Sequence, residues 1–223
     1  IMLIVLEGLD GAGKSTQLRA MQAYFKERRQ AVNYMHFPYY RTPVYGTLIA
    51  RFLRGDCGAI DTVDPYLVSL LFAGNRFEMS ADIRKWLDAG NIVLLDRYVY
   101  SNIAFQCAKL PGDEERMRLR NWILQMEYEH FGIPRPDINL FLDVPLSFIK
   151  ENLESPRKGE DRSYLEGKND IHEASVAFQQ TVREIYLQQA AMDESFRIIP
   201  CNDEYGNMAH WKVIFSRIET FLP

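Results

Sequence analysis

The sequence predicts an α/β fold in which a parallel, five-stranded sheet carries helices on both faces, and three observations predict it. Short apolar runs recur at Met2-Leu3-Ile4-Val5-Leu6, Ala31-Val32-Asn33-Tyr34-Met35-His36, Ile92-Val93-Leu94-Leu95-Asp96, Ile138-Asn139-Leu140-Phe141-Leu142-Asp143 and Arg197-Ile198-Ile199, each of a length suited to a buried strand. Segments with helical spacing separate them, and such alternation favours parallel pairing through helical crossovers. The third observation is Gly8-Leu9-Asp10-Gly11-Ala12-Gly13-Lys14-Ser15-Thr16, which fits the G-x-x-x-x-G-K-[ST] phosphate-binding pattern between the first run and the first helix.

Each element has a local reason. Leu18, Met21 and Phe25 share one helical face between Thr16 and Arg29. The second run stops at Phe37-Pro38, Tyr39 to Val44 is loop, and a helix covers about Tyr45 to Arg54 before the break at Gly55–Gly58. Asp64 and Pro65 are suited to cap and open a long helix reaching about Leu87, which Gly90-Asn91 turns into the third strand. A helix is expected from near Ser101 and another over Glu114 to Phe131. Pro145 opens one that reaches Leu153. Glu154 to Asn169, charged and broken by Pro156, Gly159 and Gly167, reads as a mobile lid. A helix to about Met192, the last strand and a C-terminal amphipathic helix complete a chain expected to form one domain over residues 1–223.

Composition excludes several classes. At 47% hydrophobic and 25% charged the chain is globular, and its net charge of −4 gives no general argument for binding nucleic acid or a membrane surface. No apolar run approaches the roughly 20 residues of a membrane span. Cys57, Cys107 and Cys201 have neither disulfide nor zinc spacing. With no signal-peptide pattern, they point to a reducing cytoplasm.

The candidate site follows from the fold, because ligands of open parallel sheets gather at the carboxyl ends of the strands. That rule brings Gly8–Ser15, Phe37–Arg41, Asp96-Arg97 and Asp143 to one edge. The amides of Gly8, Asp10, Gly11, Ala12, Gly13, Lys14, Ser15 and Thr16 would cradle the phosphates of ATP, with Lys14 on the β/γ-phosphates. Ser15 and Asp96 are the candidate ligands of Mg²⁺. Arg97 supplies a planar, permanent cation. Phe72 and Arg76 lie four apart and can stack on and hydrogen-bond a flat base, although a core Phe and a snorkelling surface Arg explain the same spacing. Asn102 offers the donor and acceptor a pyrimidine edge requires, Phe105 can close against the sugar, and Ser101 serves either the site or the helix cap. The phosphate loop has Gly11-Ala12 and no arginine of its own, so Arg157 and Arg162 of the lid are assigned to cover the transferring charge.

These pieces resemble the thymidylate kinases, a nucleoside-monophosphate kinase family of P-loop NTPase-type fold. The matching stretches run in order: Glu7–Gln17, Phe37-Pro38, Leu71-Phe72-Ala73-Gly74-Asn75-Arg76, Asp96-Arg97-Tyr98, Ser101-Asn102-Ile103-Ala104-Phe105, Pro134-Arg135-Pro136-Asp137 and Asp170-Ile171-His172-Glu173. The resemblance implies that Asp10 contacts the deoxyribose 3′-hydroxyl or helps place Mg²⁺, and that Phe72 stacks on thymine. It implies that Arg76 and Asn102 bond the base edge, that Arg97 bridges donor and acceptor phosphates, and that Phe105 crowds the 2′ position. It further implies a homodimer packed through helices, with adenine near Pro200-Cys201-Asn202-Asp203. Family members often carry an arginine three residues after the phenylalanine of the Phe-Pro step. Here Tyr40 stands there and Arg41 follows, so Phe37 and Arg41 are the substrate candidates on that loop. Which of Tyr164, Glu166 and Glu173 faces the nucleotide stays open.

The activity expected is phosphoryl transfer from ATP to dTMP. A phosphate acceptor needs no general base, only positioning and charge neutralisation. A deoxynucleoside kinase would benefit from a carboxylate base near the end of the second strand, and Tyr34 to Arg41 hold no Asp or Glu. A non-catalytic nucleotide-binding protein is the remaining alternative.

Overall fold

The apolar runs become parallel strands: β1 (Met2–Gly8), β2 (Val32–His36), β3 (Ile92–Asp96), β4 (Ile138–Asp143) and β5 (Phe196–Pro200). Residues 1–59, 62–154 and 175–223 are described in the computed structural model. The strands form one five-stranded sheet in the order β2-β3-β1-β4-β5, every neighbour parallel. Burial follows position. All of β3 and nearly all of β1 and β4 are buried, whereas the edge strands expose Tyr34 on β2 and Arg197 and Pro200 on β5. Continuous apolar runs therefore mark the centre, and mixed ones the edges.

The helices are α1 (Lys14–Glu27), α2 (Tyr45–Leu53), α3 (Pro65–Asp88), α4 (Val99–Cys107), α5 (Asp113–Leu124), α6 (Leu146–Glu154), α7 (Val176–Gln189) and α8 (Trp211–Glu219). α1 packs with α8, and α4 with α3, α5 and α7, so two helical layers enclose the sheet. Asp64 caps α3 as its sequence demands, accepting from Tyr66 N at 2.8 Å and Leu67 N at 3.3 Å, with Pro65 at the first turn. A second, smaller core of Ile49, Phe52, Leu53 and Val68 joins α2 to α3. None of the described helices is long and apolar enough to cross a membrane.

Two boundaries differ from expectation. α4 starts at Val99, not Ser101, and all nine of its residues are buried. The helix expected over 114–131 is α only to Leu124, and Gln125–His130 continues it as a π-helix in which Met126 and Glu127 are buried. Wider turns of this kind are frequent at functional sites. The expected lid falls almost wholly outside the described residues, and with it Arg157, Arg162, Tyr164, Glu166 and Glu173.

Because β1 is flanked by β3 on one side and β4 on the other, the crevice at its carboxyl end is where a ligand of this sheet should sit. The phosphate loop begins there.

Candidate active site

The loop from Gly8 to Gly13 turns β1 into α1. Gly11 and Gly13 have φ of 77° and 83°, the left-handed region in which a side chain is strained. Gly13 is the residue before α1, so the first amides of that helix face the loop's concavity. Lys14 is buried, and its Nζ donates to Leu9 O at 3.0 Å and Gly8 O at 3.3 Å. Ser15 is exposed at the first turn of α1.

Arg97 arrives from the end of β3. Its backbone φ is 65°, a left-handed conformation uncommon for a non-glycine residue and concentrated at functional sites. Its Nη2 donates to Asp10 Oδ1 at 2.7 Å and its Nη1 to Ser101 Oγ at 3.1 Å, with the guanidinium 5.0 Å from the Phe105 ring centre. Beneath it lies Glu7, which is 0% exposed. Glu7 Oε1 accepts from the amides of Tyr98 at 2.9 Å and Ser101 at 3.2 Å. Its Oε2 accepts from Ser101 Oγ at 2.5 Å and Tyr186 OH at 3.0 Å. A carboxylate from β1 thus caps α4, satisfying amides that a helix start leaves unpaired. Ser101 does not cap the helix; it links Glu7 to Arg97. Sequence reasoning assigned no role to Glu7, although a charge at the end of an apolar run is a visible signal. Tyr186 carried none, being one aromatic among the apolar positions of a helix.

Charges in this cluster act on one another. Burial lowers the Lys14 ammonium to about 8, with Arg97 adding to the effect and Asp96, Asp10 and Glu7 opposing it. Burial alone would push the Asp96 carboxyl up, but His36, Lys14 and Arg97 outweigh it and hold it below the usual range. Burial of Arg97 is likewise outweighed, chiefly by Asp10, so its guanidinium stays charged. For Glu7 burial wins, and its carboxyl is raised. These mutual effects place Lys14, Arg97, Asp10 and Asp96 around one shared space. Asp96 Oδ2 meets His36 Nδ1 at 3.1 Å, while its Oδ1 is buried without a hydrogen-bond partner. An unpaired buried carboxylate oxygen beside a phosphate loop has the chemistry of a cation ligand.

The base-binding candidates gather on α3 and α4. Arg76 is no snorkelling surface residue: it is 2% exposed, and its Nε and Nη2 donate to Glu127 Oε2 and Oε1 at 2.5 and 2.6 Å. Asn102 Nδ2 donates to Ser69 O and Glu127 Oε1, both at 3.0 Å. Phe72 is half-buried against the smaller core, and Phe105, in the main core, faces Phe178 at 6.3 Å. Asn75, adjacent to Arg76, is buried and grips the loop after β2, accepting from Tyr39 N at 2.7 Å and donating to Tyr39 O and Thr42 Oγ1 at 2.9 Å each.

Two expectations on that loop fare differently. Phe37 is 1% exposed and packs on Tyr98 in the core, so its side chain supports the site from below and does not line it. Arg41 is exposed on the gripped loop. On the opposite flank, the segment after β5 folds back through an Asn202–Met208 bridge, and the Met208 methyl lies 4.0 Å from where a Gly13 side chain would begin. Met208, paired with Asn202, therefore borders the loop on this flank.

Comparison with known proteins gives a concordant result. Residues 6–210 match the family model of thymidylate kinase. The chain is 34% identical to a probable thymidylate kinase of Thermococcus kodakarensis over 226 residues, 99% of this chain and 98% of that one. It is 29% identical to the thymidylate kinase of Mycobacterium tuberculosis over 190 residues, 85% and 86% of the two chains. The solved structure of thymidylate kinase from Candida albicans aligns with a TM-score of 0.70 at 28% identity, covering 99% of this chain and 88% of that one.

Proposed function

This chain belongs to the thymidylate kinase family, and from that premise we propose how its site moves the terminal phosphoryl group of ATP onto dTMP to give dTDP and ADP. The observation that carries the reading is the convergence of Lys14 and Arg97 on Asp10 and Asp96 in one buried cluster. The loop amides and Lys14 hold the donor phosphates, and Arg97 spans donor and acceptor. The acceptor is already an anionic oxygen, so no base is required; fixed cations in a water-poor site lower the barrier by stabilising charge as it moves between the phosphates. Ser15 and the unpaired Asp96 Oδ1 fit a Mg²⁺ ion shared with those phosphates, which would supply further charge neutralisation. Lid residues Arg157 and Arg162 are assigned the part of the arginine that the loop itself lacks.

On α3 and α4, Phe72 stacks on the thymine, Arg76 and Asn102 meet its edge, and Phe105 crowds the 2′ position. Arg41, exposed on the loop after β2, is assigned the acceptor phosphate. The three free cysteines, Cys57 exposed among them, suit a reducing compartment such as the cytoplasm. The homodimer is placed on the packed helices α2 and α3, which expose Leu48, Leu67, Leu70 and Phe77. Initial rates with ATP-Mg²⁺ and dTMP, dUMP, dCMP, UMP or thymidine test the function. dTMP should be the preferred acceptor; turnover of thymidine alone would establish a nucleoside kinase instead.

A further inference from the structure

The side-chain amide of Asn102 is held by Glu127, a residue that no sequence motif marks. Glu127 sits in the π-helical turn after α5 and is 0% exposed. Its Oε1 is shared, accepting from Arg76 Nη2 at 2.6 Å and from Asn102 Nδ2 at 3.0 Å. The other Asn102 amide hydrogen goes to the Ser69 carbonyl at 3.0 Å. Both partners of Nδ2 are pure acceptors, so rotating the amide would set oxygen against oxygen twice. The orientation is therefore fixed, and it leaves Asn102 Oδ1 buried with no hydrogen-bond partner. A buried acceptor of this kind is complete only when a ligand donor reaches it.

We infer that Glu127 is a positioning residue for base selection, locking the Asn102 amide so that it presents an acceptor to the N3 position of the pyrimidine. Thymine and uracil carry N–H at N3, whereas cytosine has a lone pair there. The locked amide therefore accepts the first two and repels the third. Glu127 holds Arg76 with the same carboxylate, committing Nε and Nη2 and aligning the remaining guanidinium nitrogen for an acceptor such as O4. In cytosine that position bears an amino group. One carboxylate sets the polarity of both readers.

The inference rests on Asn102 contacting the base, and the experiment separates the two. Specificity constants for dTMP, dCMP and dUMP are measured for the parent protein and for Glu127→Gln, Glu127→Asp, Asn102→Ala and Asn102→Ala/Glu127→Gln. Glu127→Asp keeps a charge for Arg76 and so guards against a variant that fails to fold. In both single Glu127 variants the dTMP/dCMP ratio should fall by about tenfold or more, because a site built around a hydrogen bond loses discrimination when its partner can turn. The dTMP/dUMP ratio should stay within about twofold, since those bases differ only by a methyl group and the same N3 donor serves both. In the Asn102→Ala background, Glu127→Gln should lower the dTMP/dCMP ratio by clearly less than it does alone, since only the share carried by Arg76 is left to lose. Parallel loss of both ratios, an unchanged dTMP/dCMP ratio, or an equal fall with Asn102 absent would overturn the role of Glu127. An Asn102→Ala variant that rejects dCMP as strongly as the parent would instead overturn the base contact itself, and a parent protein inactive on dTMP would overturn the kinase reading.

Discussion

Arg97 Nη2 stands 2.7 Å from Asp10 Oδ1, joining the end of β3 to the phosphate loop across 87 residues of sequence. The pair ties the Arg97 guanidinium to the phosphate loop. It also fixes the position of Arg97 through contacts of the protein's own, with Ser101 and Glu7 supporting it from below. Preorganisation of this kind matters most when charge redistributes.

Arg97→Ala should therefore depress kcat by about 10²–10³-fold while shifting KM for ATP and dTMP only severalfold. Steady-state kinetics with both substrates varied decides it. Equal losses in turnover and affinity would mean that Arg97 binds ground state and transition state alike.

Lys14 supplies a pH signature. Burial lowers its ammonium to about 8, so it loses its proton as pH rises through that value. A bound triphosphate favours the charged form and draws the proton back. The specificity constant for ATP should decline above about pH 8, and ATP binding at pH 8.5–9 should take up roughly one proton. Calorimetry in buffers of different ionisation enthalpy reads that uptake; a flat profile with no proton linkage to pH 9.5 would contradict it.

Asn75 anchors the loop that carries Arg41 through three hydrogen bonds. Asn75→Ala leaves the part-buried Tyr39 N–H without its acceptor and removes both donations to the loop, and should cost about 1–3 kcal/mol of stability in urea titrations. KM for dTMP should rise with kcat nearly preserved, and Arg41→Ala should add little to that rise when the two are combined, as expected of residues acting in one unit.

Gly46 leaves no room for a methyl group. A side-chain carbon there would lie 2.5 Å from Tyr40 O and 3.0 Å from Thr42 Oγ1. Gly46→Ala must displace backbone and should lower stability by about 1–3 kcal/mol, with KM for dTMP rising because the same loop moves. An unchanged melting temperature would show that the loop yields freely.

The exposed apolar positions of α3 test the dimer. Leu67 and Phe77 are 61% and 49% exposed and project from one face of the helix. Leu67→Glu/Phe77→Glu should sediment as a monomer where the parent sediments as a dimer; a monomeric parent would remove the assignment.

Much of the fold follows from local pattern. The central strands are apolar on both faces, the glycines of the loop admit positive φ, and Asp64-Pro65 starts α3 where its cap chemistry dictates. Those signals reach across a few residues, so they survive without tertiary context. The same holds for the phosphate loop and for Asp96 and Arg97, because a strand's end carries its own residues to the sheet edge.

Only the tertiary structure decided what holds those residues in place. Glu7, Tyr186 and Glu127 meet Ser101, Arg97, Arg76 and Asn102 across separations of 25 to 94 residues, and no periodicity encodes such meetings. Ser101 serves the Glu7–Arg97 network and not its helix start, Phe37 is core, and Arg76 is a buried ion pair, each because packing removed the solvent that local reasoning leaves around a side chain. Sequence alone determined which groups reach the crevice. Burial, by making every unpaired polar atom costly, decided which of them face a ligand and which hold the others still.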